Sequence, residues 1–372
     1  MSDRLQVATR KGLFTLERNG AAGVPWKVAN VGFLGDAVTL VLPEPGGERM
    51  HAALELGHFG AKTHLSTDGG RTWKETAAPA YPEKPEGVED LDPFKKVPIP
   101  WNLMKVWALA TGNLDQPGRV WCGTIPGGLF RSDDGGESWE LVRSLWDHPG
   151  RKKWMGGGAD WPGIHSILVD PRDGRHVVLG VSCGGVWETR DDGATWKQGA
   201  HGMRADFLPP DQAGEPDSQD PHSIVACTAD PDVMWCQHHC GIFRTTEGCG
   251  HWVELAKEHS KFGFAVAVHP IEPDTAWFVP GVKDEARYAI DGQVVVARTR
   301  DGGASFDLLR EGLPQEHAYD LVYRHALDID DSGDRLAFGS TTGNLWVTED
   351  QGDSFMHVSA HLPPIYAVRF SD

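Results

Sequence analysis

The sequence predicts an all-β fold, a seven-bladed β-propeller. The main observation is an eight-residue motif that occurs six times: a hydroxyl residue, any residue, an acid, a glycine-rich turn and a closing aromatic residue. The second is the spacing of the closing aromatics, which lie 49 to 66 residues apart and so leave room for one four-stranded sheet per copy. The six copies span residues 66–73, 132–139, 189–196, 245–252, 299–306 and 348–355.

Each part of the motif has a local physical role. The hydroxyl of Ser66 and the carboxylate of Asp68 can bond the backbone of their own turn, and the glycines tolerate positive φ. The closing aromatic, such as Trp73, brings the chain back to the core between neighbouring sheets. The fourth copy departs from this pattern, since Glu247 replaces the aspartate and Cys249 stands where glycine is expected.

Short β-patterned segments surround each motif. Around the second copy, residues 120–124, 128–131 and 139–142 indicate strand, turn, strand, tight hairpin and strand. A further apolar segment precedes each such unit, for example residues 164–169. Four strands then complete one blade, with the apolar segment innermost.

The two chain ends supply the seventh blade. Residues 12–20, followed by Trp26, repeat the strand pattern without an innermost strand, and residues 365–370 have the pattern of such a strand. We therefore expect the C-terminal strand to pair with the three N-terminal ones and close the ring, which removes the open sheet edges. Six blades is the alternative. No linker-like segment divides the chain, so residues 1–372 are expected to form a single domain.

The repeated motif resembles that of the Asp-box (BNR-repeat) sialidase-like β-propellers. It is also similar in pattern to sortilin-type receptor domains and to the photosystem II stability factor. The resemblance covers almost the whole chain and implies the fold. Sialidases of this superfamily carry an Arg-Ile-Pro motif, which this sequence lacks, so the resemblance does not imply sialidase catalytic residues here.

Composition narrows the function classes. The formal net charge of −18 disfavours binding to nucleic acid or to an anionic membrane surface. No apolar run approaches the roughly 18 residues of a membrane-spanning helix, and the N-terminus has no apolar signal segment, so a cytoplasmic location is expected. A reducing compartment would leave the six cysteines as thiols.

The face opposite the Asp boxes concentrates the unusual residues. It carries three long crossings between blades, residues 77–102, 143–163 and 197–220, which we expect to form a lid. Aligning the innermost strands places one residue of each blade at the same height near the channel mouth. Among these residues are Lys105, His165, His222, Phe264, His325 and Tyr366.

Two chemistries fit this arrangement. His165, His222 and His325 can hold one divalent metal, such as zinc, manganese or iron, with an open position. Alternatively, acid/base groups act directly, with the catalytic candidates Lys105, Tyr366, Arg287 and Glu55. Substrate-binding candidates on the same face are His58, His238, His239 and Trp161. A structural role is also open, because a histidine here can bond a backbone carbonyl between blades.

We therefore expect an enzyme, a hydrolase or lyase that acts on a small polar or sugar-like molecule at the channel mouth. The alternative is a non-catalytic binding or assembly scaffold. A scaffold would more often present an exposed apolar or single-sign patch than a buried histidine cluster. The expected partner is a small-molecule or carbohydrate substrate, and the sequence leaves the oligomeric state open.

Overall fold

The computed structural model describes residues 2–20, 23–157, 159–255 and 260–371. Its strands are β1 (Arg4–Thr9), β2 (Gly12–Glu17), β3 (Lys27–Gly32), β4 (Val38–Pro43), β5 (Met50–Glu55), β6 (Ala61–Ser66), β7 (Lys74–Thr76), β8 (Lys105–Thr111), β9 (Val120–Ile125), β10 (Leu129–Ser132), β11 (Glu140–Leu141), β12 (Gly163–Val169), β13 (Val177–Ser182), β14 (Gly185–Thr189), β15 (Lys197–Gln198), β16 (Pro221–Ala226), β17 (Met234–His238), β18 (Gly241–Thr245), β19 (Val253–Glu254), β20 (Gly263–Val268), β21 (Ala276–Pro280), β22 (Val296–Thr299), β23 (Asp307–Leu309), β24 (Leu327–Ile329), β25 (Leu336–Gly339), β26 (Leu345–Thr348), β27 (Met356–Ser359) and β28 (Ile365–Ser371).

Helical structure in the described residues is confined to short turns. One α-helical turn, α1, spans Arg143–Trp146, and 3₁₀ turns span Gly57–Phe59, Pro149–Lys153, Pro216–Ser218 and Ile290–Gly292. No helix in the described part of the chain is both long enough and apolar enough to cross a membrane.

The strands form seven four-stranded antiparallel blades, as predicted. Blade 1 has the order β28-β1-β2-β3, and blades 2 to 7 are β4–β7, β8–β11, β12–β15, β16–β19, β20–β23 and β24–β27. The innermost strands contact one another in a closed series, from β4 through β8, β12, β16, β20 and β24 to β28. In blade 1, Val7 pairs with Val368 and Ala8 with Ala367. The predicted closure by the C-terminal strand is confirmed.

The Asp boxes satisfy their own turns, which explains why the motif fixes the fold locally. The Ser66 hydroxyl donates to Asp68 Oδ1 at 2.8 Å and accepts the Gly70 amide at 2.8 Å. The backbone amide and hydroxyl of Thr72 donate to the same carboxylate at 2.9 and 2.7 Å. These bonds hold the pKa of Asp68 at about 2.

Aromatic residues fill the spaces between blades. Trp121, Trp187, Trp235 and Trp277 are at most 1 % exposed. Box aromatics join this core to different degrees: Trp252 is fully buried and donates Nε1–H to the Gly199 carbonyl at 2.8 Å, whereas Trp139 is half-buried. The packing of whole sheets against each other therefore supplies most of the core.

Two of the long crossings are tied together on the face opposite the boxes. Arg151 forms a buried ion pair with Asp90 at 2.8 Å, and its guanidinium lies 4.0 Å from the Trp146 ring centroid. Trp101 Nε1 donates to the same Asp90 carboxylate at 2.9 Å. Because Asp90 and Arg151 belong to different crossings, their ion pair holds the two crossings together next to the channel mouth.

Candidate functional site

A cavity of about 550 Å³ opens at the channel mouth on the face opposite the boxes. Lys105 Nζ lies 3.2 Å from Glu55 Oε2 and 5.9 Å from the ring centroid of Tyr366. Burial raises the pKa of Tyr366, so its hydroxyl keeps its proton at neutral pH. The structure thus brings the candidates of the sequence analysis partly together. Those that line the cavity are Glu55, Lys105, Trp161, Arg287, His325 and Tyr366.

Most innermost strands carry a β-bulge near the channel mouth, and the bulge residues Trp107, Phe264 and Tyr366 line the mouth cavity. The pairing register shifts around Trp107, His165, His222 and Phe264, and around Tyr366 in the closing strand. A bulge leaves one residue outside the regular alternation and turns its side chain. The sequence alignment placed Lys105 at the same position as these bulge residues, which is wrong for blade 3. The bulge residue of β8 is Trp107, and Lys105 lies two residues before it, at the start of the strand.

The three histidines of the predicted metal set serve different partners. His325 Nε2 bonds the His165 carbonyl at 2.8 Å, and His222 Nδ1 bonds the Gly263 carbonyl at 2.6 Å. His165 Nδ1 lies 2.9 Å from the Ser166 hydroxyl. Burial and then nearby arginines hold the pKa of His165 and His325 well below the usual value. The structural role left open above therefore describes His325, which ties two blades.

A different group can hold a metal: Asp220, His222 and His239. Their candidate ligand atoms all lie within 4.8 Å of one another. Asp220 Oδ2 is 3.4 Å from His222 Nε2 and 3.3 Å from His239 Nδ1. It is the one grouping of three or more potential ligands found among the described residues. His222 belongs to both the predicted set and the observed one, while His165 and His325 are replaced by Asp220 and His239.

The Asp220 carboxylate is fixed from its other side. The Cys183 amide donates to Oδ1 at 3.0 Å and the Ser182 hydroxyl at 3.2 Å, which leaves Oδ2 to the two histidines. Burial alone would raise the pKa of Asp220, but His222 and His239 hold it well below the usual value. For His239, burial opposes the shift, but the bond with Asp220 outweighs it and raises the pKa.

His238 positions this group without joining it. The backbone amides of Asp220 and Cys240 point at its two ring nitrogens, at 3.0 and 3.1 Å. Burial lowers the pKa of His238 to about 3, so the ring is neutral. It therefore orders the strand ends that carry Asp220 and His239. The ring is fully buried and is not among the residues that line the mouth cavity.

Aromatic rings and the long crossings enclose the group. The His222 ring stacks on Phe264 at 4.5 Å, and Phe262 lies 5.4 Å from it. Phe207, from the crossing 197–220, lies 5.1 Å from the His239 ring. Gly157 leaves space for no more than hydrogen beside Cys183, because a side-chain carbon there would lie 2.4 Å from its sulfur. Residues from two of the three crossings, 143–163 and 197–220, thus lie against the Asp220 group.

Arg324 is a residue of the mouth that sequence reasoning missed. Its guanidinium lies 4.4 Å from the Trp107 ring centroid and 5.4 Å from that of Phe264, and Nε donates to the His222 carbonyl at 2.7 Å. Burial lowers its pKa to about 10, which still leaves it charged at neutral pH. Arg324 and His325 line both the mouth cavity and the channel that continues towards the box face.

Other predicted residues lie apart from the Asp220 group. His58 is exposed, stacks on Phe59 at 3.9 Å and does not line the cavity. Arg287 pairs with Asp284, and its guanidinium lies 5.4 Å from the Phe264 ring. Trp161 lies at the cavity wall, where Lys95 Nζ is 5.7 Å from its ring. Arg287 is therefore the predicted residue that links the cavity to the aromatic wall of the histidine group.

Comparison with known proteins gives the same fold and a distant relationship. The BNR/Asp-box repeat family matches residues 130–141. An oligoxyloglucan-reducing end-specific xyloglucanase of Emericella nidulans is 33% identical over 80 residues, and a Paenibacillus xyloglucanase is 32% identical over 108 residues. These matches cover 21% and 26% of this chain but only 9% and 10% of those relatives, so the chain matches about a tenth of their length.

Solved structures extend the likeness to the whole chain. The GH74 xyloglucanase from Xanthomonas campestris has a TM-score of 0.61 and 17% identity, over 100% of this chain and 53% of that one. YCF48 from Cyanidioschyzon merolae has a TM-score of 0.53 and 13% identity, over 88% and 87%. At these identities the likeness establishes the propeller fold alone.

Proposed function

We propose that this chain, an Asp-box (BNR-repeat) propeller distantly related to xyloglucanases, is a metal-dependent hydrolase of a sugar-like substrate. The metal is held by Asp220, His222 and His239, and the substrate occupies the adjoining mouth cavity. The observation that carries the proposal is the Asp220 group, with one carboxylate oxygen and two imidazole nitrogens converging within 4.8 Å.

The two separations from Asp220 Oδ2 fit a small divalent ion. Ligand atoms about 2.0 to 2.1 Å from zinc at a tetrahedral angle lie roughly 3.3 to 3.4 Å apart. The two separations from Asp220 Oδ2 are 3.3 and 3.4 Å. Three protein ligands leave a fourth position open, the arrangement typical of catalytic rather than structural zinc. A bound ion would supply Lewis acidity, towards a water or a polar bond of the substrate.

The surroundings supply what a metal site needs beyond its ligands. His222 Nδ1 bonds the Gly263 carbonyl, which fixes its ring and directs Nε2 towards Asp220. Ser182 and the Cys183 amide do the same for the carboxylate. Since the second nitrogen or oxygen of these two ligands already has a partner, His222 and Asp220 are held in place for an ion.

The cavity provides binding groups suited to a hydroxylated molecule. Glu55, Lys105 and Tyr366 present an acceptor, a cation and a hydroxyl at one wall, and Trp161 adds an aromatic face. Aromatic faces with a few convergent polar groups are a common form of ligand site. The similarity to two xyloglucanases favours a carbohydrate and favours hydrolysis over elimination.

The test combines metal content with turnover. Purified protein loaded with zinc, manganese or ferrous iron is assayed against a panel of aryl glycosides and oligosaccharides, before and after chelation. Asp220→Asn should lose both bound metal and hydrolysis. The matched control is Asp320→Asn, a buried acid on the same face whose carboxylate accepts bonds from Ser340 and Asn344. Hydrolysis that survives chelation and the Asp220 substitution would refute the metal's role.

A second candidate, a binding or assembly scaffold, is favoured by one observation. Large aromatic side chains stand exposed on loops of the mouth face: Phe59 is 70% exposed, Phe94 65% and Tyr319 62%. Exposed apolar groups at one face are common at interaction sites. Protein that binds no metal and hydrolyses no member of the panel would favour this function over the enzyme.

A further inference from the structure

We propose that Arg324, together with His165, binds an oxyanion of the substrate, a carboxylate or a phosphate, where the channel meets the mouth cavity. The inference deepens the proposed function and rests on it in one respect, that the cavity is the substrate site. It names the substrate class as acidic rather than neutral.

Arg324 has no ion-pair partner among the described residues, unlike the charged side chains near it. Lys105 pairs with Glu55, and Arg287 pairs with Asp284. Arg324 forms no ion pair with any described residue, although it lies inside the channel of a chain with a formal net charge of −18. A charge held away from bulk water is costly unless it is paired. The Asp220 carboxylate lies near enough to attract the guanidinium but forms no ion pair with it, so a bound anion would supply the missing partner.

The guanidinium is held in a fixed orientation. Trp107 and Phe264, from blades 3 and 6, contact it, and the His222 carbonyl accepts its Nε–H. Its two Nη groups have no hydrogen-bond partner among the described residues and are not buried, so they remain accessible from the channel. Two parallel N–H donors on a planar fork match the two oxygens of a carboxylate or phosphate.

His165 adds an independent indication at the same place. Its side chain is 1% exposed, yet Nε2 has no hydrogen-bond partner in the described part of the chain. His165 Nδ1 lies 2.9 Å from the Ser166 hydroxyl, which also accepts the Ile224 amide. This ring lies 5.6 Å from Trp107, the residue that also contacts Arg324. A buried ring nitrogen without a partner therefore belongs to a residue that lines the same channel as Arg324.

The Phe264 ring places this anion site beside the metal site. One of its neighbours is the His222 ring, at 4.5 Å, and another is the Arg324 guanidinium, at 5.4 Å. If the oxyanion of a substrate binds Arg324, the bonds of the substrate next to that oxyanion would therefore lie close to the Asp220 group. Acidic sugars and sugar phosphates both carry such a group, and the shared chemistry is the oxyanion.

The test is isothermal titration of the full chain with D-glucuronate, D-glucose 6-phosphate and D-glucose. We expect at least one of the two anions to bind about tenfold or more tightly than glucose, and which anion is preferred separates carboxylate from phosphate. Arg324→Gln should abolish the preference. Arg324→Lys, which keeps the charge but not the planar fork, should retain part of it and serves if the glutamine variant is unstable.

The matched control is Arg244→Gln, which also removes a guanidinium from a tryptophan face, 5.0 Å from Trp235, but on the box side and paired with Asp274. It should keep the preference. Equal binding of all three sugars to the wild type, or a preference that survives Arg324→Gln, would overturn the proposal. Repeating the titration after chelation separates the two proposals: an Arg324-dependent preference in protein that never binds metal would refute the metal site alone.

Discussion

Replacing Trp252 by alanine should be among the most destabilising single changes in this propeller. The indole is fully buried between blades 4 and 5, packs with Val186 and Phe243, and donates to the Gly199 carbonyl at 2.8 Å. A large-to-small change at a buried tryptophan costs about 3 to 5 kcal/mol. The orphaned carbonyl adds about 1 kcal/mol, for a total of roughly 4 to 6 kcal/mol.

The comparison variant is Trp139→Ala, at the equivalent position of the second box. Trp139 is half-buried and its Nε1 has no partner in the described residues, so the cost should be about 2 kcal/mol. Urea and thermal denaturation followed by near-UV circular dichroism give both values. Metal content of the folded fraction should not change in either variant. Equal costs, or a larger cost at Trp139, would refute the idea that burial between blades determines the contribution of each box aromatic.

Three further predictions follow from the fold and the charges. Deleting residues 365–371 uncovers the β1 edge, so light scattering should show aggregation, whereas a soluble monomer would contradict closure by this strand. Hydrogen bonds within the boxes hold the pKa of Asp68, Asp134 and Asp301 at about 2. The stability that these carboxylates contribute is therefore complete above their ordinary pKa of 3.8 and is lost as pH falls towards 2. Melting temperatures between about pH 5 and 2 should drop less in Asp68→Asn than in the wild type. Burial opposes protonation of His176, but the bonds with Glu188 and Asp170 outweigh burial and raise the pKa of His176 above 6.5. The stability that these bonds contribute is therefore complete below pH 6.5 and is lost as pH rises through the pKa of the folded protein. His176→Gln should weaken the decline of melting temperature above pH 6.5, and an unchanged profile would contradict this role of His176.

The fold was predictable because the Asp box is a local device. Five of the six boxes form the hydroxyl and carboxylate bonds to their own turn within eight residues, so the sequence signature does not depend on distant contacts. Ring closure was predictable for a related reason, since residues 365–370 have a strand pattern but no neighbouring segment to pair with. The damaged fourth copy shows how far this holds: Glu247 and Cys249 depart from the motif, yet β18 and β19 still pair around it.

The site was only partly predictable, because side-chain direction depends on the bulges. His165 and His222 occupy the same position of consecutive blades, and sequence alignment aims them at one point. Their rings instead have different partners: the His165 ring lies beside the Ser166 hydroxyl, and the His222 ring lies beside the Asp220 carboxylate. His239 follows a strand end, and Asp220 precedes a proline-initiated strand, where an acid is commonly a turn former. The signal that could have joined them is chain topology: the end of β17 lies beside the start of β16.

Arg324 was missed for a different physical reason. The repeat alignment selected His325, the residue that follows Arg324. In the structure, however, the innermost strand of blade 7 spans only Leu327–Ile329. Residues 324 and 325 therefore reach the channel from the crossing rather than from a strand. Aligning the repeated strands does not predict the direction of a side chain that lies on a crossing between blades.

Metal stoichiometry in two histidine variants tests the central claim most directly. Wild-type protein, His239→Gln and His165→Gln are each equilibrated with zinc, freed of excess by gel filtration and analysed by plasma mass spectrometry, with circular dichroism to confirm folding. We predict one ion per chain in the wild type and in His165→Gln, and less than about a tenth of an ion in His239→Gln, because of these two histidines only His239 belongs to the Asp220 group. Zinc retained by His239→Gln but lost by His165→Gln, or no zinc in the wild type, would contradict the account.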